Sequence, residues 1–282
     1  MRFLYELKQH ITEVFVTFKV EFMRSYLFLI VVILLNACSK PEENYIKIPS
    51  EFYAIIQEEV LPGGTRQLFL ELSSITSQYC QSDSLVYHST VNANEIQIEV
   101  LDSYKANDCF QKQFPLKSRI ALPTFTDTLN ILIELGNASL IKAQIYSAPK
   151  EYLMTISEGQ GLQLKYPQTY KIPNNLVWGF VYPIGSDPTN EIMLQNFIKD
   201  LEFDCYTNWL PKGYYSYFDI KDNNTVVLTY NPGFVGSYRN FYYTHKWSDL
   251  EMQNFFQNLS TKYSNLIGYN VISGNGFHFS SH

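Results

Sequence analysis

Charged residues are scarce in this chain of 282 residues: Asp, Glu, Lys and Arg together make up 17% of it, whereas hydrophobic residues make up 46%. A composition this apolar excludes a largely disordered protein. The net charge is −6, and the sequence contains no basic block or basic amphipathic stretch. Nucleic acid is therefore not expected as a partner.

The sequence also lacks the short motifs that mark common active sites. It contains no G-x-S-x-G, H-E-x-x-H, Walker A or C-x-x-C string, which would indicate a hydrolase, a zinc protease, a nucleotide-binding protein or a redox site. The five histidines have no spacing that defines a metal geometry. We therefore predict no cofactor and no bound metal.

Long hydrophobic runs are absent except for one near the N-terminus, within residues 23–38 (MRSYLFLIVVILLNAC). Its unbroken apolar part, residues 27–35, is much shorter than the roughly 20 residues that a transmembrane helix needs. The run ends in Leu-Asn-Ala at 35–37, followed by Cys38. This pattern resembles a bacterial lipoprotein signal peptide. The resemblance implies that Cys38 is lipidated, becomes the first residue after cleavage and anchors the protein to a membrane.

The sequences on either side of this segment refine the expectation. Residues 1–22 contain three glutamates, whereas a signal peptide should begin with a short positive region. We therefore expect Met23 to be the true start and residues 1–22 to be an untranslated annotation artefact. The run Ser39–Glu43 (SKPEE) resembles the lipoprotein export signal of Bacteroidota, which implies the outer membrane and exposure at the cell surface. The alternative is a periplasm-facing protein in which this run is only a solvated tether.

Cysteine occurs four times, and the resemblance assigns Cys38 to the lipid. Cys80 and Cys109 lie 29 positions apart in a region rich in strand-forming residues. Because an exported protein can oxidise its thiols, we predict a disulfide between them, worth about 3–4 kcal/mol in the chain-entropy model. Cys205 is then a buried free thiol. The alternative is that all three are buried and reduced.

Hydrophobic patterning divides the rest of the chain. Residues 38–65 are predicted to be a lipidated tether and an extended lead-in. Residues 66–157 hold seven short runs of strand-forming residues separated by turn residues, which predicts an antiparallel β-sandwich of the immunoglobulin-like or transthyretin-like kind. Residues 158–175 are rich in Gly and Pro and are predicted to be a linker.

Residues 176–282 show a different pattern, because two helices are predicted among the strands. Asp187-Pro188 is typical of a helix start, and Ser248 and Glu251 form a capping box at the start of the second helix. The order β-α-β-β-β-α-β favours a C-terminal α+β sheet with two helices on one face. The whole protein is thus predicted to be β-rich and of the α+β class.

Aromatic residues are abundant, at 16% of the chain, and crowd its C-terminal part. We select Trp209, Phe234 and Tyr238 as candidate binding aromatics, because exposed aromatic rings stack on sugars or anchor protein interfaces. The function predicted is a non-enzymatic docking module for an envelope protein or a glycan. The alternative is an envelope-associated, glycan-acting hydrolase with acids among Glu202, Asp204 and Asp219.

Overall fold

The structure is a computed structural model that describes residues 52–106, 113–136, 139–185, 187–206, 209–230 and 238–281. Strands make up 51% of it and two helices are present among the described residues, which confirms the β-rich α+β class. None of the described helices is long and apolar enough to span a membrane. The predicted signal peptide, Cys38, Cys109 and Phe234 lie outside the described residues.

The described secondary structure consists of seventeen strands, two α-helices and one 3₁₀ turn at Pro62–Gly64. The strands are β1 (Phe52–Val60), β2 (Arg66–Ser74), β3 (Ser84–Asn92), β4 (Glu95–Tyr104), β5 (Lys117–Ala121), β6 (Thr128–Leu135), β7 (Ser139–Ser147), β8 (Glu151–Glu158), β9 (Leu162–Leu164), β10 (Gln168–Tyr170), β11 (Leu176–Pro183), β12 (Gly213–Tyr214), β13 (Phe218–Ile220), β14 (Val226–Leu228), β15 (Arg239–Thr244), β16 (Ile267–Ser273) and β17 (His278–Ser280). The helices are α1 (Pro188–Asp204) and α2 (Asp249–Lys262).

Thirteen of the strands form one large sheet in the order β14-β13-β12-β10-β8-β7-β6-β4-β3-β5-β2-β1-β9. Strands β1 to β8 turn alternate residues to one side, where they enclose a single apolar core. Its fully buried members include Phe52, Ile56, Leu70, Ile96 and Ile133. All seven strands predicted between 66 and 157 are present.

This large sheet is mixed rather than purely antiparallel. The chain leaves β4 to place β5 beside β2 and then returns, so that β6 pairs with β4 in parallel. Strand β9 likewise pairs in parallel with β1. A crossover of this kind cannot be inferred from the alternation of single strands, because alternation reports which residues are buried and not which strand lies alongside.

Strand β1 was not predicted, since residues 38–65 were interpreted as tether and lead-in. Its pattern is obscured because Ile55, on the outer side, is also buried, and because Glu58 occupies a position that should be apolar. The predicted linker at 158–175 contains β9 and β10, which belong to the large sheet. Strands of this sheet thus lie on both sides of that segment.

The four remaining strands form a small antiparallel sheet in the order β15-β11-β16-β17. Both helices pack on one face of it, as predicted, through Leu194, Phe197, Met252, Phe256 and Leu259, among others. The predicted helix starts are also confirmed. The Asp187 side chain accepts a hydrogen bond from the backbone N–H of Thr189, and Ser248 and Glu251 form a capping box.

The other face of the small sheet packs against strands from the same C-terminal region. Trp178 on β11 and Tyr242 on β15 lie in one core with Tyr215, Phe218 and Ile220. Strands β12, β13 and β14, which were predicted to share a sheet with β11, instead extend the large sheet beyond β10. This arrangement holds the segment between β12 and β14 against β1.

Candidate functional site

A cleft of about 400 Å³ opens on the outer side of the large sheet, opposite the apolar core. This volume lies within the range of about 300–1,000 Å³ that is typical of small-ligand sites. The residues that line the cleft are Ile55, Gln57, Glu58, Glu59, Glu71, Lys117, Arg119, Lys165, Tyr166, Tyr214, Ser216, Tyr217, Thr229 and Tyr230.

The floor of the cleft is made by adjacent strands β1, β2 and β5. Arg119 on β5 lies opposite Glu71 on β2, and Glu71 lies opposite Ile55 on β1. Alternate residues of a strand face opposite sides of the sheet. Arg119, Glu71 and Ile55 therefore point outward, whereas Leu70, which precedes Glu71 on β2, points into the core. The floor is therefore polar although it sits directly on an apolar layer.

Ion pairs fix the side chains of this floor. An Arg119 guanidinium nitrogen lies 2.8 Å from a Glu59 carboxylate oxygen, and the guanidinium carbon lies 3.8 Å from the centre of the Phe69 ring. Lys117 Nζ lies 3.3 Å from Glu71 Oε1, and Gln57 donates to Glu71 Oε2 at 3.0 Å. The network leaves donors and acceptors in defined positions at the bottom of the cleft.

One wall of the cleft is a tight turn between β12 and β13. Ser216 has a φ of 65°, in the left-handed region that few residues other than glycine adopt. The turn directs Tyr214 and Tyr217 to the cleft and Tyr215 into the core beneath. Tyr214 and Tyr215, although adjacent in the sequence, therefore face different surroundings.

The same turn closes the edge of β1. Glu58 N–H donates to Ser216 Oγ at 2.7 Å, and Val60 N–H donates to the Tyr217 hydroxyl at 3.1 Å. Side-chain oxygens thus replace the backbone of a neighbouring strand along this part of β1. A peptide cannot extend the sheet at a backbone edge whose donors are already occupied.

Residues 165 and 166 extend this wall with an aromatic stack. The Tyr166 ring lies parallel to the Tyr214 ring, with 4.0 Å between their centres and 4° between their planes. Lys165 Nζ lies 5.7 Å from the centre of the Tyr166 ring. Lys165 N–H donates to the Ala54 carbonyl of β1 at 3.1 Å, so the backbone of this wall is held to the floor while the lysine head is exposed.

The tyrosine hydroxyls of the cleft are neutral groups. Burial raises the pKa of Tyr214, Tyr217, Tyr230 and Tyr166 above the usual range of a phenol. A phenol with a raised pKa does not ionise near neutral pH, so these groups can offer hydrogen bonds but do not supply a phenolate base or nucleophile.

Glu58 lies behind the floor and is 3% exposed. Its carboxylate accepts from the Tyr152 hydroxyl at 3.1 Å and from the Ile172 N–H at 2.8 Å. An Arg66 guanidinium nitrogen lies 3.8 Å away. Burial, followed by the charge of Glu58, raises the pKa of Tyr152. Through these contacts the Glu58 carboxylate links β1 to β2, to β8 and to the segment before β11. It therefore supports the floor of the cleft from the core side.

The residues selected from the sequence lie elsewhere. Trp209 is 72% exposed and Tyr238 is 41% exposed, and neither lines the cleft. Tyr238 packs edge-on against Phe180, with 6.3 Å between ring centres. Phe234 is outside the described residues. The structure therefore places no described member of the predicted set in the cleft.

The predicted cysteine pairing stays a prediction. Cys80 is buried, but Cys109 is outside the described residues. Cys205 is a buried free thiol, as expected. Burial, with a smaller contribution from the Asp204 charge, raises its pKa to about 12, so it is an unreactive thiol and not a nucleophile.

The acids considered for hydrolysis are not brought together. Glu202 is on α1, which packs on one face of the small sheet, and accepts a hydrogen bond from Tyr243 at 3.2 Å. Asp219 is on β13, which packs against the opposite face, and pairs with Lys221. Asp204 is exposed at the end of α1. Among the described residues, no three His, Cys, Asp or Glu side chains cluster as a metal site would require.

Sequence reasoning missed the cleft because its residues come from separate parts of the chain. Lys117, Arg119 and Glu71 look individually like solvent-facing charges on the outer side of a sheet, which is the usual fate of such residues. A weak signal was present at 165–166, where a lysine and a tyrosine adjoin a proline within a segment interpreted as linker. Comparison of the chain with protein-family models, curated proteins and solved structures finds no match.

Proposed function

We propose that this chain is a lipid-anchored protein of the bacterial cell envelope that binds a glycan in the cleft without catalysing its reaction. The observation that carries the binding part is the cleft itself, a cavity of about 400 Å³ lined by tyrosines and by side chains held in ion pairs. The location part rests on the lipobox-like residues 35–38 and on the charged run that follows them.

The chemistry of the cleft suits a sugar. The C–H face of a pyranose packs on aromatic rings, and its hydroxyl edge needs both donors and acceptors. Tyr230, on the rim, is 37% exposed, while Gln57, Glu59 and Arg119 present amide, carboxylate and guanidinium groups from the floor. Arg119 and Glu59 hold each other in place, and Gln57 is held by Glu71, before a ligand arrives. This order lowers the entropy lost on binding.

A protein ligand fits this cleft less well. Extended peptides commonly bind by adding a strand to an exposed sheet edge, and the nearby edge of β1 is occupied by Ser216 and Tyr217. A helix needs an apolar groove, whereas three acids and three bases contribute to this lining. An envelope protein is therefore not the ligand that we propose for this site.

Replacement of Arg119 tests the cleft. We expect Arg119→Ala to weaken glycan binding by about 10- to 100-fold, because a hydrogen bond from a charged donor is worth about 1.5–3 kcal/mol. Binding is measured on an array of envelope, plant and host oligosaccharides, and then by calorimetry with the best ligand. The stability of the variant should fall by no more than about 1 kcal/mol, since the ion pair with Glu59 is partly exposed.

Lys142→Ala is the matched control. Lys142 also forms an exposed ion pair on the large sheet, with 2.7 Å between its Nζ and a Glu158 oxygen, but it does not line the cleft. Its replacement should leave binding unchanged. Equal binding by wild type and Arg119→Ala, to every glycan that the wild type recognises, would remove the cleft as the proposed site.

The location is tested separately at Cys38. Cys38→Ala should move the protein out of the membrane fraction, because the variant lacks the thiol that accepts the lipid. Protease treatment of intact cells should then degrade the wild-type protein but spare a periplasmic control protein. Membrane association of the variant equal to that of wild type would contradict the lipid anchor, and protection of the wild type in intact cells would place it on the periplasmic side.

A further inference from the structure

One basic side chain in the lining of the cleft forms no ion pair with an acid of that lining. Its lining contains three acids, Glu58, Glu59 and Glu71, and three bases, Lys117, Arg119 and Lys165. Glu58, however, faces Arg66, which does not belong to the lining. Once Glu58 is assigned to Arg66, the lining retains one base without an acid.

Lys165 is that base. Glu59 pairs with Arg119 and Glu71 pairs with Lys117. Asp219, near Tyr166, pairs with Lys221. Within the described parts of the chain, Lys165 has no carboxylate within ion-pair distance, and its Nζ lies 5.7 Å from the centre of the Tyr166 ring. Its ammonium group therefore stands free beside the aromatic wall.

The backbone of Lys165 is fixed although its head is exposed. Lys165 N–H is bonded to the Ala54 carbonyl, and the next residue is stacked on Tyr214. A cation held at the rim beside a flat ring is suited to a sugar whose face packs on the ring and whose acidic substituent reaches the ammonium group. The protein carries a net charge of −6, but charges farther than about 8 Å are largely screened at physiological ionic strength. The local charge of the cleft thus decides the preference.

We infer that the ligand of the cleft is an acidic glycan, with a ring carboxylate or sulfate bound by Lys165. This inference rests on the proposed function, since it names the class of glycan that the same cleft takes. The tyrosines and the Arg119–Glu59 pair bind the ring and hydroxyl groups of the sugar. Lys165 makes the cleft bind an acidic glycan more tightly than a neutral glycan of similar structure.

The experiment uses the full chain in detergent and pairs of oligosaccharides that differ only in charge. The probes are oligogalacturonate with its methyl-esterified form, hyaluronan fragments with their methyl-esterified form, and heparin fragments with their desulfated, N-acetylated and methyl-esterified form. At least one acidic probe should bind about tenfold more tightly than its partner, and added salt should reduce this preference. Lys165→Gln should abolish the preference by weakening the acidic probe fivefold to tenfold, while binding of the neutral partner stays within twofold.

Lys150→Gln is the control, because Lys150 is also an exposed lysine but lies outside the cleft. It should leave all affinities unchanged. If the wild type binds neutral glycans in an Arg119-dependent manner but shows no preference for any acidic probe, the inference fails and the proposed function stands. If Lys165→Gln weakens both members of a pair equally, charge selection by Lys165 is also overturned. Absence of binding to every glycan overturns both proposals.

Discussion

Glu58→Ala is expected to lower the free energy of unfolding by about 3–5 kcal/mol, the usual cost of removing one member of a buried charged network. The carboxylate is 3% exposed. Without it, the Tyr152 hydroxyl and the Ile172 N–H lose their buried acceptor, and the partly exposed Arg66 guanidinium loses its ion-pair partner. Urea unfolding of the full chain, followed by circular dichroism, measures the change.

The adjacent residue is a matched control for this substitution. Glu59 is also a glutamate of β1 but faces the cleft, where it forms a partly exposed ion pair with Arg119. Glu59→Ala should cost no more than about 1 kcal/mol. Equal losses for Glu58→Ala and Glu59→Ala would show that the buried network does not stabilise the fold in the way described.

Trp178→Ala should lower the free energy of unfolding by about 3–5 kcal/mol, as large-to-small substitutions of buried aromatic residues do. The side chain is fully buried and lies between β11 and the turn that forms the wall of the cleft. Its ring centre is 5.2 Å from that of Tyr217 and 5.7 Å from that of Phe218. Loss of the indole therefore leaves a cavity beneath the wall, and the denaturation midpoint should fall.

Trp209→Ala provides the comparison, since the same side chain is 72% exposed there. Its substitution should change the free energy of unfolding by no more than about 0.5 kcal/mol. A large loss of stability at Trp209, or a negligible one at Trp178, would contradict the assignment of these residues to surface and core.

The local features of the fold are the ones that the sequence predicts well. The capping box of Ser248 and Glu251 involves residues three positions apart, so its physics is contained in a short string. The strands from 66 to 157 alternate because one side of each is buried, and this too is visible locally. The pairing of β4 with β6, and the union of β12–β14 with the large sheet, depend on contacts between distant segments that no local pattern encodes.

The cleft is even harder to predict from local sequence patterns than the pairing of the strands. Arg119, Lys165 and Tyr217 come from three separate segments and meet only because β1 and the turn at Ser216 hold them together. The C-terminal part of the chain is rich in aromatic residues, but the exposure of single rings does not identify the tyrosines of the cleft. Its tyrosines are partly or fully buried, and it is their arrangement around paired charges that makes a cavity.

We propose that a ligand binds in the cleft and not at the exposed aromatic residue Trp209. Hydrogen exchange of the full chain, measured with and without the glycan that binds most tightly, tests it most directly. We predict slower exchange in the peptides that cover 117–119, 165–166 and 214–217, with no change at 203–206 and 209, which lie at and beyond the C-terminal end of α1. Protection confined to 203–206 and 209, with the cleft peptides unchanged, would contradict the account.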